Sequence, residues 1–99
     1  MPTSTAIVAT DAPARYAKQL LAHLGRKNTV EQVEGDPDGG RLIFAYGSAT
    51  LHPAADQLVM NAIAVDAESL ARVEDVLARH LVRFGTRREL VVTWSRERA

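Results

Sequence analysis

Three histidines, His23, His52 and His80, are the residues best able to bind a metal or move a proton near neutral pH. Two of them sit in related settings, "LLAHLGRKN" at 20–28 and "LARHLVRFG" at 77–85. One reading has His23 and His80 converge from equivalent helices on a metal or an anionic ligand. Each falls seven residues after a member of an apolar stripe, Tyr16 or Val73, and so lies on or beside that stripe. No pair of histidines has H-x3-H or H-E-x-x-H spacing, and no local carboxylate cluster completes a metal site. The alternative reading makes both histidines boundary residues that pack near helix ends.

Charge is segregated. Residues 79–98 hold six arginines and two glutamates, a local net of +4, while residues 31–38 hold four acids and no base. Arg26, Lys27, Arg87 and Arg88 would suit a carboxylate, a phosphate or an acidic partner. Otherwise they are a solvated surface. Tyr46 and Trp94 would border a ligand cleft if they do not simply pack the sheet. An enzymatic reading takes His23 or His80 as base and Arg87 or Arg88 as the holder of an anionic substrate. Asp66 is explained as a helix cap and Glu68 by the helix dipole, and Glu74 and Asp75 are expected to meet water. Ser48 and Thr50 lack a G-x-S-x-G elbow, and "GDPDGG" at 35–40 has no following helix or Lys-Ser/Thr to make a phosphate loop. That segment is expected to be a turn.

Bulk properties narrow the classes. Ninety-nine residues with 46% hydrophobic content fit one globular domain, 1–99. The formal net charge is zero and few aromatics interleave with the bases, which argues against nucleic acid or an anionic membrane surface as partner. The chain has no cysteine, so disulfides, thiolate metal sites and cysteine nucleophiles are excluded. Neither a signal peptide nor a transmembrane span is read in the sequence, and a cytoplasmic location is expected.

The elements that must position these residues follow from periodicity. "TAIVAT" at 5–10 reads as a strand, and a helix runs from about Ala12 to Leu24 with Asp11 as cap. Tyr16, Leu20 and Leu24 form its stripe, and Ala17 and Leu21 widen it. Gly25 is expected to stop the helix in the left-handed conformation. Strands are expected at 29–34, 41–51 and 57–65, with a turn at 52–56. A second helix, 67–84, buries Leu70, Val73, Leu77, Leu81 and Phe84. "ELVVTW" at 89–94 reads as a last strand, and "SRERA" as a fraying tail. "ARYAKQLLAHL" (14–24) aligns without a gap on "ARVEDVLARHL" (71–81), which suggests two related strand–helix–strand halves. The order β-α-β-β-β-α-β implies an α+β two-layer sandwich: a mainly antiparallel five-stranded sheet with two helices on one face, in a ferredoxin-like or TBP-like variant.

"ATDAPARYAKQLLAHLGRK", "GRLIFAYGSATL" and "DAESLARVEDVLARHLVRFGTRRELVVTW", in that order over nearly the whole chain, resemble a small bacterial family known as domain of unknown function 2218. The resemblance implies an association with siderophore-interacting flavoproteins, and hence a place in iron handling, without assigning an activity or a cofactor. Relatives often carry a cysteine in the strand after Gly47, where this chain reads Gly47-Ser48-Ala49-Thr50. The favoured expectation is a non-catalytic accessory or ligand-binding domain. Its free sheet face would meet a ligand or a partner, such as a second copy of the chain or a siderophore-interacting flavoprotein. A structural interaction module without a ligand is a third reading.

Overall fold

The computed structural model describes residues 1–84 and 90–96. Its elements are β1 (Thr3–Ala9), α1 (Pro13–Leu24), β2 (Thr29–Val33), β3 (Asp36–Phe44), β4 (Gly47–Pro53), β5 (Gln57–Ala64), α2 (Ala67–Phe84) and β6 (Trp94–Arg96). The sheet has six strands in the order β2-β3-β4-β5-β1-β6, and every neighbouring pair is antiparallel. The expected α+β class holds, but the strand count of five does not.

The sixth strand comes from residues 41–51. Their continuous apolar run reads as one central strand, yet the chain reverses at Ala45–Tyr46 and Phe44 pairs with Gly47. Folding the run into a hairpin lets both arms lay alternate residues on the helices. Leu42, Phe44, Ala49 and Leu51 are all buried. The segment 35–40 is likewise not one turn. Gly35 takes the left-handed conformation, φ 81°, and the strand resumes at Asp36.

β5 and β6 flank β1 and both run antiparallel to it, so β5-α2-β6 is a split β-α-β unit. The other crossover, β1-α1-β2, spans β5, β4 and β3, and neither a ferredoxin-like nor a TBP-like variant is confirmed. One face of the sheet is closed by the helices. Ala6 and Val8 of β1 and Leu58, Met60, Ala62 and Ala64 of β5 pack there against Tyr16, Ala17, Leu20 and Leu24 of α1 and Leu70, Val73, Leu77 and Leu81 of α2. The opposite face carries Thr3, Thr5 and Ile7 beside Ser48, Thr50, Asn61 and Ile63.

Helix ends follow local chemistry. Asp66 caps α2 as expected, its Oδ1 accepting the Ser69 N–H at 2.7 Å. The expected cap of α1, Asp11, is displaced by one residue. Ala12 occupies the N-cap without a side-chain cap bond, Pro13 follows in the first turn, and Thr10 Oγ1 accepts the Ala12 N–H at 3.1 Å. Gly25 is not left-handed: its φ is −67°. It is required for space, because a Cβ there would lie 2.4 Å from the Leu21 carbonyl oxygen and 2.7 Å from Val30 Cγ2. Asn28 Nδ2 donates to the Leu24 carbonyl at 2.8 Å and satisfies the end of the helix.

The last strand begins later than expected. Leu90–Thr93 precede it without strand pairing, although Leu90, Val92 and Trp94 do face the core and Val91 faces out. Ser95 and Arg96, read as part of a fraying tail, are strand residues paired with β1.

Candidate functional site

The aligned halves of the sequence bring their matched histidines together. His23, near the end of α1, and His80, in the last turns of α2, have ring centroids 5.0 Å apart at an angle of 46°. Phe84, one helical turn beyond His80, meets His23 edge-on at 5.7 Å and His80 at 6.4 Å. The backbone beneath is fixed by Leu20, Leu24, Leu77 and Leu81, all buried at corresponding positions of the two helices. His23 is exposed and His80 half-buried.

His80 Nδ1 donates to the Val76 carbonyl at 2.7 Å, which selects the Nδ1–H form of the neutral ring and leaves Nε2 as the acceptor. Among the described residues no hydrogen bond holds a ring nitrogen of His23. A recess of about 360 Å³ is lined by Arg79, His80 and Arg83, so that of the two histidines it is His80 that borders it. Arg79 is partly neutralised by Asp75 at 3.1 Å. This arrangement offers an open imidazole nitrogen and two guanidinium groups to one visitor, a combination suited to an anion or to a metal carrying anionic donors. No group of three or more metal-ligating side chains occurs among the described residues.

The other expected site residues are dispersed. Arg26 and Lys27 follow α1 as exposed side chains, close in sequence to His23. Arg87 and Arg88 lie outside the described residues. Tyr46 belongs to the β3–β4 turn, where it stacks on Phe44 at 5.4 Å and receives the Arg72 guanidinium over its ring at 4.2 Å. Trp94 pairs with Ala6 at the β6 edge and packs partly against the core. Both are partly buried against the core.

Three features escape the sequence reading. Arg79 and Arg83 stand one before and three after His80, spacing that puts Arg83 on the same helix face, so their role was readable from position. Glu74, expected in water, is only 8% exposed. Arg96 holds it with two bonds, Nη2 to Oε1 at 2.7 Å and Nε to Oε2 at 3.2 Å. Burial pushes the Glu74 carboxyl up, but the Arg96 and Ser4 hydrogen bonds and the Arg96 charge outweigh it and leave the pKa lowered. Finally, His52 Nδ1 meets Asp36 Oδ2 at 2.6 Å across β4 and β3, an imidazole oriented by a carboxylate. Sixteen residues separate the two, and no local signal couples them.

No curated protein matches the chain. Its structure is similar to the NMR structure of PA4090 from Pseudomonas aeruginosa, with a TM-score of 0.78 and 33% sequence identity over 96% of each chain. Residues 5–95 match a family described as uncharacterized protein conserved in bacteria, DUF2218. The match spans both helices, both histidines of the pair and the six strands almost to their ends, and the chain therefore belongs to that family.

Proposed function

We propose that this domain is a non-catalytic accessory module that binds an anionic small ligand at the end of its helix layer. The observation that carries the reading is that His80, in ring contact with His23, lines a recess together with Arg79 and Arg83. Two guanidinium groups supply charge and planar hydrogen bonding, and the imidazoles supply a directed acceptor or, once protonated, further donors. The family resemblance adds a chemical class. Ferric siderophores of catecholate and carboxylate type are anionic chelates, and a cytoplasmic partner of siderophore-interacting flavoproteins would meet them, whereas the neutral or cationic hydroxamate complexes serve as the comparison.

The test is a thermal-shift screen of ferric siderophores of catecholate, hydroxamate and carboxylate type against the wild type, His23→Ala and the double variant Arg79→Gln/Arg83→Gln. A ligand specific to the folded state raises the midpoint in proportion to RT ln(1 + [L]/Kd). The proposal expects a rise in the wild type that both variants lose. Equal rises in all three proteins would place the ligand elsewhere.

The open sheet face supports a second role, docking a second copy of the chain. It exposes Ile7 at 58% and Ile63 at 37%, and its ion pair, Arg41 with Glu31, compensates itself. Light scattering of the wild type against Ile7→Lys tests this, since a charge buried at a two-fold interface would return a dimer to monomer. The enzymatic reading finds its support at a different place from the one the sequence points to, in the carboxylate-oriented His52.

A further inference from the structure

We infer that His23 and His80 together chelate one divalent transition-metal ion, leaving its remaining coordination positions open to an anionic donor. This deepens the proposed anion site and rests on it only for the identity of that added donor.

Three observations carry the inference. The first is separation. Imidazoles bound to one first-row metal at about 2.0–2.1 Å place their ring centres roughly 4.5–5 Å apart at cis or tetrahedral angles. The observed 5.0 Å falls in that range without movement of either helix.

The second is orientation. A metal-binding histidine characteristically donates its other ring N–H to a carbonyl or carboxylate, which fixes both tautomer and ring plane. His80 Nδ1 does so to Val76 O at 2.7 Å, so Nε2 is the ligating atom. That bond lies within α2 and needs only the helix to form it, so it holds the His80 ring in an orientation suited to a metal. His23 is exposed and, among the described residues, unencumbered by hydrogen bonds, so its ring is free to turn a nitrogen toward the same ion.

The third is what surrounds the pair. With two protein ligands the metal keeps open positions, as catalytic and ligand-exchanging sites do and closed structural sites do not. Arg79 and Arg83 oppose a bare dication and favour one whose open positions carry carboxylate, phosphate or a similar anion. Imidazole donors select zinc, copper or nickel over magnesium or calcium.

The experiment is isothermal titration of zinc chloride into the whole chain at pH 7.5 in a weakly coordinating buffer. Parallel titrations use His23→Ala, His80→Ala, His52→Ala and Arg79→Gln/Arg83→Gln. The expected result is one zinc per chain, with affinity at least tenfold weaker in each of His23→Ala and His80→Ala and unchanged in His52→Ala. The arginine variant should bind zinc more tightly than the wild type, because Arg79 and Arg83 oppose a bare dication. Lowering the pH to 5.5 should release the metal, because protons compete for imidazole nitrogen. His23 is exposed, so its variant tests the site without threatening the core, and circular dichroism of each variant verifies folding.

Absence of zinc binding in the wild type, or binding that follows His52 instead, overturns the inference. The outcomes separate the two proposals. Zinc binding without siderophore-dependent stabilisation leaves the chelate standing and removes the proposed ligand class. Siderophore-dependent stabilisation without zinc binding does the reverse.

Discussion

Removing Arg96 should cost more than removing its partner Glu74, and the excess should depend on pH. The Glu74 side chain is 11% exposed and the Arg96 side chain 44%. When Glu74→Ala is made, Arg96 is left at the rim of the sheet and turns into water. When Arg96→Ala is made, Glu74 stays pinned on α2 with a carboxylate that water barely reaches. A fully buried charge left unpaired costs about 3–5 kcal/mol, and the residual exposure of Glu74 brings this to about 2–3 kcal/mol at neutral pH. For a chain of this size that is a fall in Tm of roughly 10–20 °C.

In the wild type the Glu74 pKa is lowered from its usual 4.5, so its contribution is present above that value and is lost as the pH falls through the lower folded pKa. Without Arg96 the balance reverses, because burial, the largest single influence on Glu74, then outweighs the remaining Ser4 hydrogen bond and raises the folded pKa. The variant is then worst at neutral pH and recovers as acid neutralises the stranded carboxyl. Urea denaturation of wild type, Arg96→Ala and Glu74→Ala at pH 7 and pH 4 reads both effects. The reasoning is refuted if Arg96→Ala is no worse than Glu74→Ala at pH 7, or if its deficit is the same at pH 4.

Three further outcomes follow from the packing. Gly25→Ala has an acceptable backbone angle, which on its own would stabilise by about 0.4–1 kcal/mol. The 2.4 Å approach of its Cβ to the Leu21 carbonyl wins instead, and a net loss of about 1–3 kcal/mol is expected in urea denaturation. Leu20→Ala, at a fully buried position between helix and sheet, should lower stability by about 2–5 kcal/mol in the same assay. Gly39→Ala would set a Cβ 2.5 Å from Asp36 Oδ2 and 2.3 Å from the Leu51 carbonyl. It should disturb the Asp36–His52 contact, seen as a shift of the His52 ring resonances in NMR.

The second helix was legible to the residue, from Asp66 at its cap and a stripe spaced three or four apart. The hairpin at 41–51 was not, because Ala45–Tyr46 lacks the Asn-Gly or Asp-Gly chemistry that marks a two-residue turn. Glu74 shows a signal present but unused. It aligns with Ala17, and Ala17 widens the apolar stripe of the first helix, so the same position on the second helix was due to be buried. Its partner Arg96 could not be read from the chain, since β6 reaches Glu74 only by pairing with β1 at the other end of the sequence, Arg96 opposite Ser4.

The histidine pair lies between these cases. Alignment of the two helices marked His23 and His80 as equivalent, but whether equivalent residues meet depends on how two helices cross one sheet. Arg26, Lys27, Tyr46 and Trp94 were chosen by residue type and neighbourhood, and the fold sets Tyr46 at the β3–β4 turn and Trp94 on β6, apart from the histidine pair in the secondary structure.

The central claim is that the paired-histidine end of the helix layer is the ligand site. It is tested most directly by 1H–15N chemical-shift mapping of the labelled chain, titrated first with zinc and then with citrate as a simple anionic donor. The account predicts that the perturbed signals cluster on His23, Arg79, His80, Arg83 and Phe84, with the His80 ring Nε2 showing the largest change. Perturbations gathered instead on Thr5, Thr50, Asn61 and Ile63 of the open sheet face would contradict it.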